Sequence, residues 1–149
     1  IRFVDTDKWI ELNEGASVAD IFHYGGEEYF RRTERNAVES LYLEDENMVV
    51  ATGGGLPTYG DNMEWLNDHG LTIYLRRSPE QIMSRMSAYG REKRPMFRGK
   101  SDDELLAFMK AQMAERERFY AMANISVECT PISDDEAVEV IVKELIARL

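Results

Sequence analysis

The chain has one cysteine, Cys129, in 149 residues. A single thiol excludes an intrachain disulfide and suggests a reducing compartment. Its neighbours Glu128 and Thr130 bring no histidine beside it, so it reads as a packing residue. Histidine is nearly as scarce. His23 and His69 fall on separate expected helices without ligand-like partners, which argues against a histidine-built metal site. No apolar run approaches the roughly 20 residues of a membrane span. The first residues carry neither a basic n-region nor a long apolar h-region. These absences together give the expectation of a cytoplasmic protein with no membrane partner. Positive charge is in short supply: 18 Lys and Arg against 28 Asp and Glu leave a net charge of −10. That opposes a nucleic-acid partner, whose binding proteins are usually basic. No internal repeat or low-complexity linker is visible.

What is present is an ordinary soluble composition, 44% hydrophobic, in a length that suits a single domain over residues 1–149. Short apolar runs alternate with longer helical patterns, which predicts α/β architecture with a mainly parallel sheet. The expected strands are 2–5, 48–52, 71–75 and 124–128, each apolar along its length as buried parallel strands are. Ser17 can cap a short helix ended by Gly25-Gly26, and a longer helix follows over 27–43 with Phe30, Ala37, Val38 and Leu41 inward. Asp61 and Gly70 bracket another helix. Capping boxes at Ser78, Ser101 and Ser133 open three more. The last of these carries the stripe Val138, Ile141, Leu145 and Leu149.

Several patterns carry chemistry. Val4-Asp5-Thr6-Asp7 reads as a strand end delivering two acids, and in an extended segment their i, i+2 spacing puts both on one side. Gly53-Gly54-Gly55 follows the second strand. Three glycines there leave backbone N–H groups open to a ligand, against the plainer reading of a flexible turn. Arg31 and Glu34 share a helix face at i, i+3; the plain alternative is a surface ion pair of little energy. Arg116 stands among Glu115, Glu117 and Arg118, and composition alone does not single it out. Arg91, Lys93, Arg94, Arg98 and Lys100 crowd one stretch bounded by Gly90 and Gly99. Glycine hinges around cations suit a lid over about 90–100 that closes on phosphate, against an ordinary loop.

Read in order, these segments resemble the shikimate kinase family. The carriers are Asp5-Thr6-Asp7 with Ile10-Glu11, Gly26-Glu27 with Phe30-Arg31-Arg32-Thr33-Glu34, Thr52-Gly53-Gly54-Gly55, Arg94-Pro95-Met96-Phe97, and Arg116 with Tyr120 and Ala123. The resemblance implies a three-layer P-loop kinase-like fold with strand order 2-3-1-4-5 and a mobile lid. It also implies ATP-dependent phosphorylation of the 3-hydroxyl of shikimate, in aromatic amino-acid biosynthesis, with Mg²⁺ serving the nucleotide. By the same resemblance Asp7 holds the shikimate hydroxyls and accepts the proton. Arg31 and Arg116 grip the carboxylate, Glu34 orients Arg31, and Gly53, Gly54 and Gly55 complete the pocket. Asp5 acts near Mg²⁺, Arg94 reaches the transferring phosphate, and Arg85 lies by the adenine. Shikimate and ATP are the expected small-molecule partners of a monomer.

One departure bears on this. The family's G-x-x-x-x-G-K-[ST] loop does not occur in these 149 residues, and Gly53 to Thr58 has no Lys to substitute for it. A strand–loop–helix unit of about thirty residues, the first strand of the order included, is expected ahead of Ile1. A non-catalytic shikimate-binding module and a related small-molecule kinase stay open as alternatives. Pro131-Ile132-Ser133 lacks the basic residue that some family members place near the adenine.

Overall fold

The computed structural model describes residues 1–92, 94–129 and 133–148. The chain divides into two compact units, Ile1–Gly70 and Leu71–Leu149.

The first unit begins with β1 (Arg2–Asp5) and α1 (Thr6–Glu14), followed by α2 (Val18–Leu43), β2 (Met48–Ala51), a 3-10 turn at Leu56–Thr58, and α3 (Asn62–His69). β1 and β2 pair in parallel, with Val4 opposite Val50 and Asp5 opposite Ala51. Both strands therefore end at the same level, and the buried Thr6 ties them there by donating its hydroxyl to the Ala51 carbonyl at 3.2 Å. The expected extended Asp5-Thr6-Asp7 segment is corrected. Asp5 is the N-cap of α1, its Oδ1 accepting the N–H groups of Asp7 and Lys8 at 3.0 and 3.3 Å. Capping satisfies donors that a strand end would leave open, so the chain turns helical at Thr6 and Asp7 sits in the first helical turn. The helix closes at Gly15, whose φ of 65° is the left-handed end typical of glycine.

The Gly25-Gly26 break predicted in the long helical region is real. The two helical stretches of α2 meet at Gly26, where φ is 80° and ψ is 173°. That backbone region is open essentially only to glycine. Nothing lies within 4 Å of where a Cβ would stand, so the demand is purely torsional. Gly26→Ala should cost about 1–3 kcal/mol, read as a lower urea midpoint at an unchanged slope; an unshifted midpoint would contradict this account. Below the kink, Phe30, Ala37, Val38 and Leu41 are buried as expected, and Ile10, Ile21, Phe30 and Ala37 form the core of this unit.

Asp61 precedes α3 without capping it through its side chain. It is drawn instead to Arg35, 2.9 Å away. Gly70 ends that helix in an extended conformation rather than a left-handed one.

In the second unit β3 (Ile73–Arg76) precedes α4 (Pro79–Ser84), α5 (Ala88–Glu92), a 3-10 turn at Pro95–Phe97, α6 (Asp102–Tyr120), β4 (Ile125–Glu128) and α7 (Asp134–Ile146). β3 and β4 are parallel, Ile73 opposite Ile125 and Arg76 opposite Glu128. Ser78 caps α4, and Ser101 and Ser133 make complete capping boxes. The apolar stripe of α7 is Ala137, Ile141 and Leu145 against Ile125, Val127 and Cys129. Val138 points away, 57% exposed, because i, i+4, i+8 spacing from Ala137 already fills the face; Leu149 lies outside the described residues. Cys129 is buried as read, and burial pushes its thiol up.

The pairs β1-β2 and β3-β4 are those which the order 2-3-1-4-5 assigns to its two flanks, as 2-3 and 4-5. The strands are less covered than expected: Phe3, Val49 and Leu75 are all more than half exposed. Among the described residues each strand pairs with one neighbour. No helix of the described residues is long and apolar enough to cross a membrane.

Candidate functional site

In the first unit the candidate residues collect around Arg31. Its Nη1 donates to Glu34 Oε2 at 2.6 Å and its Nη2 to Glu27 Oε1 at 3.4 Å. The Arg31 and Glu34 side chains are only 12% and 4% exposed, so the plain reading of a solvated surface pair is set aside. Glu27, by contrast, is open to solvent. The guanidinium carbon lies 5.9 Å from the Phe22 ring centre and 5.7 Å from that of Phe30. Both rings lie on one side of it, 4.5 Å from each other, where cation–ring attraction adds to the hold of Glu34 on its rotation.

The glycine triplet is close by, since the backbone of Gly55 runs directly against the Arg31 guanidinium. Gly53 has a φ of 67°, a left-handed position.

Asp7 belongs to the same group. Its carboxyl is raised above the ordinary range, first by partial desolvation and then by the charges of Asp5 and Glu11; the Arg31 guanidinium works in the opposite direction. A carboxylate that holds its proton more tightly than usual is a better proton acceptor when ionised. Asp7 and Arg31 are therefore close enough for each to feel the other's charge.

Asp5 is the candidate for the metal. Its Oδ1 is engaged in capping, and among the described residues its other oxygen has no protein partner. No group of three or more His, Cys, Asp or Glu gathers among the described residues. One hard carboxylate oxygen fits Mg²⁺, which is usually held by one or two carboxylates with water and substrate phosphates.

The second unit carries Arg85, Arg94 and Arg116. Arg116 is half-buried and makes no ion pair among the described residues. The acid next to it is occupied: Glu117 accepts from the Tyr74 hydroxyl at 2.8 Å and pairs with Arg76 at 3.4 Å. Burial and that bond push the Tyr74 phenol up to about 12. Glu117 is thus held against β3, and the Arg116 charge stays available for an anion.

The basic stretch 90–100 departs from the expected glycine-hinged loop. Gly90 lies inside α5, so only Gly99, at φ 71°, has hinge geometry. Arg91 pairs with Asp102, Arg98 donates to the Glu92 carbonyl at 2.6 Å, and the Lys100 ammonium lies over Phe108 at 5.3 Å. Arg94 rests on the Phe97 ring at 5.4 Å without an ion pair. It remains available for phosphate; Lys93 lies outside the described residues.

Arg85 holds Asp134 in a two-point pair, Nη1 to Oδ1 at 2.9 Å and Nη2 to Oδ2 at 2.5 Å. Arg77 adds a contact at 2.6 Å. Arg85's hydrogen bonds come first among the causes that hold the Asp134 carboxyl below its usual range. The loop around Pro131 lies outside the described residues.

Sequence reasoning had missed the contacts of Phe22 and Phe30 with Arg31 and that of Asp134 with Arg85. The available signal for the first was Gly25-Gly26. Eight residues of straight helix would separate Phe22 from Phe30 by about 12 Å along the axis, yet their ring centres are 4.5 Å apart. Only the kink permits that.

The shikimate kinase family model matches residues 1–148. Shikimate kinase from Bacteroides fragilis is 36% identical over 145 residues, which cover 97% of this chain and 80% of that protein. The Parabacteroides distasonis enzyme is 38% identical over 128 residues, covering 86% and 73% respectively. Among solved structures, Bacteroides thetaiotaomicron shikimate kinase superposes with a TM-score of 0.86 at 34% identity, over 100% of this chain and 85% of that one. Shikimate kinase from Acinetobacter baumannii in complex with shikimate gives a TM-score of 0.83 at 26% identity, over 99% and 80%.

Proposed function

The chain belongs to the shikimate kinase family, and we propose from that premise how its residues carry the family's reaction. The reaction is ATP-dependent phosphorylation of shikimate on an α/β P-loop kinase fold.

Shikimate offers a carboxylate and three hydroxyls to a site that must orient one hydroxyl and accept its proton. Arg31, stiffened by Glu34 and two rings, presents a preset guanidinium fork to the carboxylate. Arg116 is the second cation for that group. Gly53, Gly54 and Gly55 let the ring lie against backbone. Asp7 takes the 3-hydroxyl proton as that oxygen bonds to the γ-phosphorus. The bond from phosphorus to the β,γ-bridging oxygen breaks, and its electron pair leaves with ADP.

Arg94 supplies charge to the transferring phosphoryl group, and Arg85 lies by the adenine. Asp5 would help to hold Mg²⁺, which would neutralise phosphate charge. A single monomeric domain in the cytoplasm, with 90–100 as its lid, completes the proposal.

The observation that carries the substrate reading is the buried Arg31–Glu34 pair. A cation held this rigidly, with a raised acid in its field, is built for a small hydroxylated carboxylate. Incubating the full-length protein with shikimate, ATP and Mg²⁺ should yield shikimate 3-phosphate and ADP in equal amounts. Phosphorylation of another sugar acid or a nucleoside with shikimate untouched would sink the reading.

A further inference from the structure

We propose that Gly55 is a positioning residue for Arg31, acting through the side chain it lacks. The inference rests on the reading of Arg31 as the carboxylate ligand, and it changes Gly55 from pocket lining into part of what aims the guanidinium.

Conformation does not require glycine at this position. Gly55 has φ −86° and ψ −43°, which any residue adopts. Space does. A Cβ built there would collide with Arg31 Nη1, with Cζ at 2.8 Å and Nη2 at 2.9 Å, inside the contact distance of carbon and nitrogen.

One of the two must therefore give way, and the Gly55 backbone is pinned. Its carbonyl accepts both the Thr58 N–H at 3.0 Å and the Thr58 hydroxyl at 2.7 Å. The next residue, Leu56, is fully buried, and its carbonyl accepts from Asn62 Nδ2 at 2.9 Å. The guanidinium is the far end of a flexible chain, so it moves first. It is bonded to Glu34, with the Phe22 and Phe30 rings together on one side, and a shift takes it off the geometry they set. An added methyl thus leaves the fold and spoils the aim.

The test is a set of four proteins: parent, Gly55→Ala, Arg31→Lys, and the double variant. Gly55→Ala should raise the shikimate KM about ten- to a hundredfold, the scale of one charged hydrogen bond lost from the carboxylate. Its ATP KM and saturated kcat should change far less, and its melting temperature should fall by about 2–4 °C as the displaced guanidinium strains its bond to Glu34. In the Arg31→Lys background the same glycine change should have little effect, because the ammonium lacks the atoms that collide.

An unchanged KM in Gly55→Ala would overturn the proposal. So would an equal KM rise in both backgrounds, which would mean that the methyl obstructs shikimate itself. If Gly55→Ala fails to fold, rescue of folding in the double variant supports the collision, and failure of both refutes it. A parent protein that does not phosphorylate shikimate would sink the functional reading instead. The Gly55–Arg31 coupling would still be read from the melting of the same four proteins.

Discussion

Asp7→Asn should abolish turnover while the protein stays folded. Asparagine keeps the shape and can still hydrogen-bond a hydroxyl, but it cannot take the proton. Loss of a positioned base typically costs about 10²- to 10⁴-fold in rate, so kcat should fall by that much with a far smaller change in shikimate KM. Turnover at the parental rate would remove Asp7 from the role of base.

The raised carboxyl gives this prediction a pH signature. Asp7 must be ionised to act, and desolvation with the charges of Asp5 and Glu11 makes it ionise at higher pH than an ordinary Asp. The acid limb of kcat/KM should therefore fall above the usual Asp range. Stability follows the opposite sign. The folded state binds this proton more tightly than the unfolded chain, so Asp7's contribution to stability is fully present below the unfolded value. It is lost as pH rises through the folded value. At neutral pH the ionised Asp7 is a destabilising group, and Asp7→Asn should melt at or above the parent temperature. A less stable, still active variant would contradict both halves of this account.

Arg31→Ala is the second large effect, and it has two separable parts. Removing a buried, hydrogen-bonded cation from a carboxylate ligand costs about 2–5 kcal/mol in binding, so shikimate KM should rise by roughly two orders of magnitude or more. The protein itself should lose up to about 3 kcal/mol, since the buried Glu34 carboxylate loses its 2.6 Å partner. Adding Glu34→Gln to Arg31→Ala should restore most of the stability and none of the affinity. An unchanged KM in the single variant would take Arg31 out of the carboxylate site. Restored affinity in the double variant would show that the KM effect had been structural.

Much of this was legible along the chain because short-range chemistry is written there. Ser17, Ser101 and Ser133 cap helices through N–H groups within three residues of themselves. The i, i+3 spacing of Arg31 and Glu34 put them on one face, and the buried face of α2 was readable from its period. α1 was missed because Trp9, Ile10 and Leu12 follow an acid pair that also suits a strand end. Only the capping geometry of Asp5 separates those readings. The strand limits moved by one or two residues where side chains such as Asn124 took up backbone donors, as it does from the Thr72 N–H at 3.0 Å.

The sequence by itself determined the α/β order, the serine-capped helix starts, the pairing of Arg31 with Glu34 and the family to which these motifs belong. Each depends on residues within a few positions of one another or on their order. The tertiary structure alone decided that this ion pair is buried, that Phe22 folds back across Gly26 onto Phe30, and that Gly55 meets the guanidinium. It also decided that Glu117 is turned to Tyr74 and away from Arg116. Those facts depend on segments up to 43 residues apart coming within a few ångströms. Such close approach is set by how whole elements pack, and no local pattern of residue types encodes it.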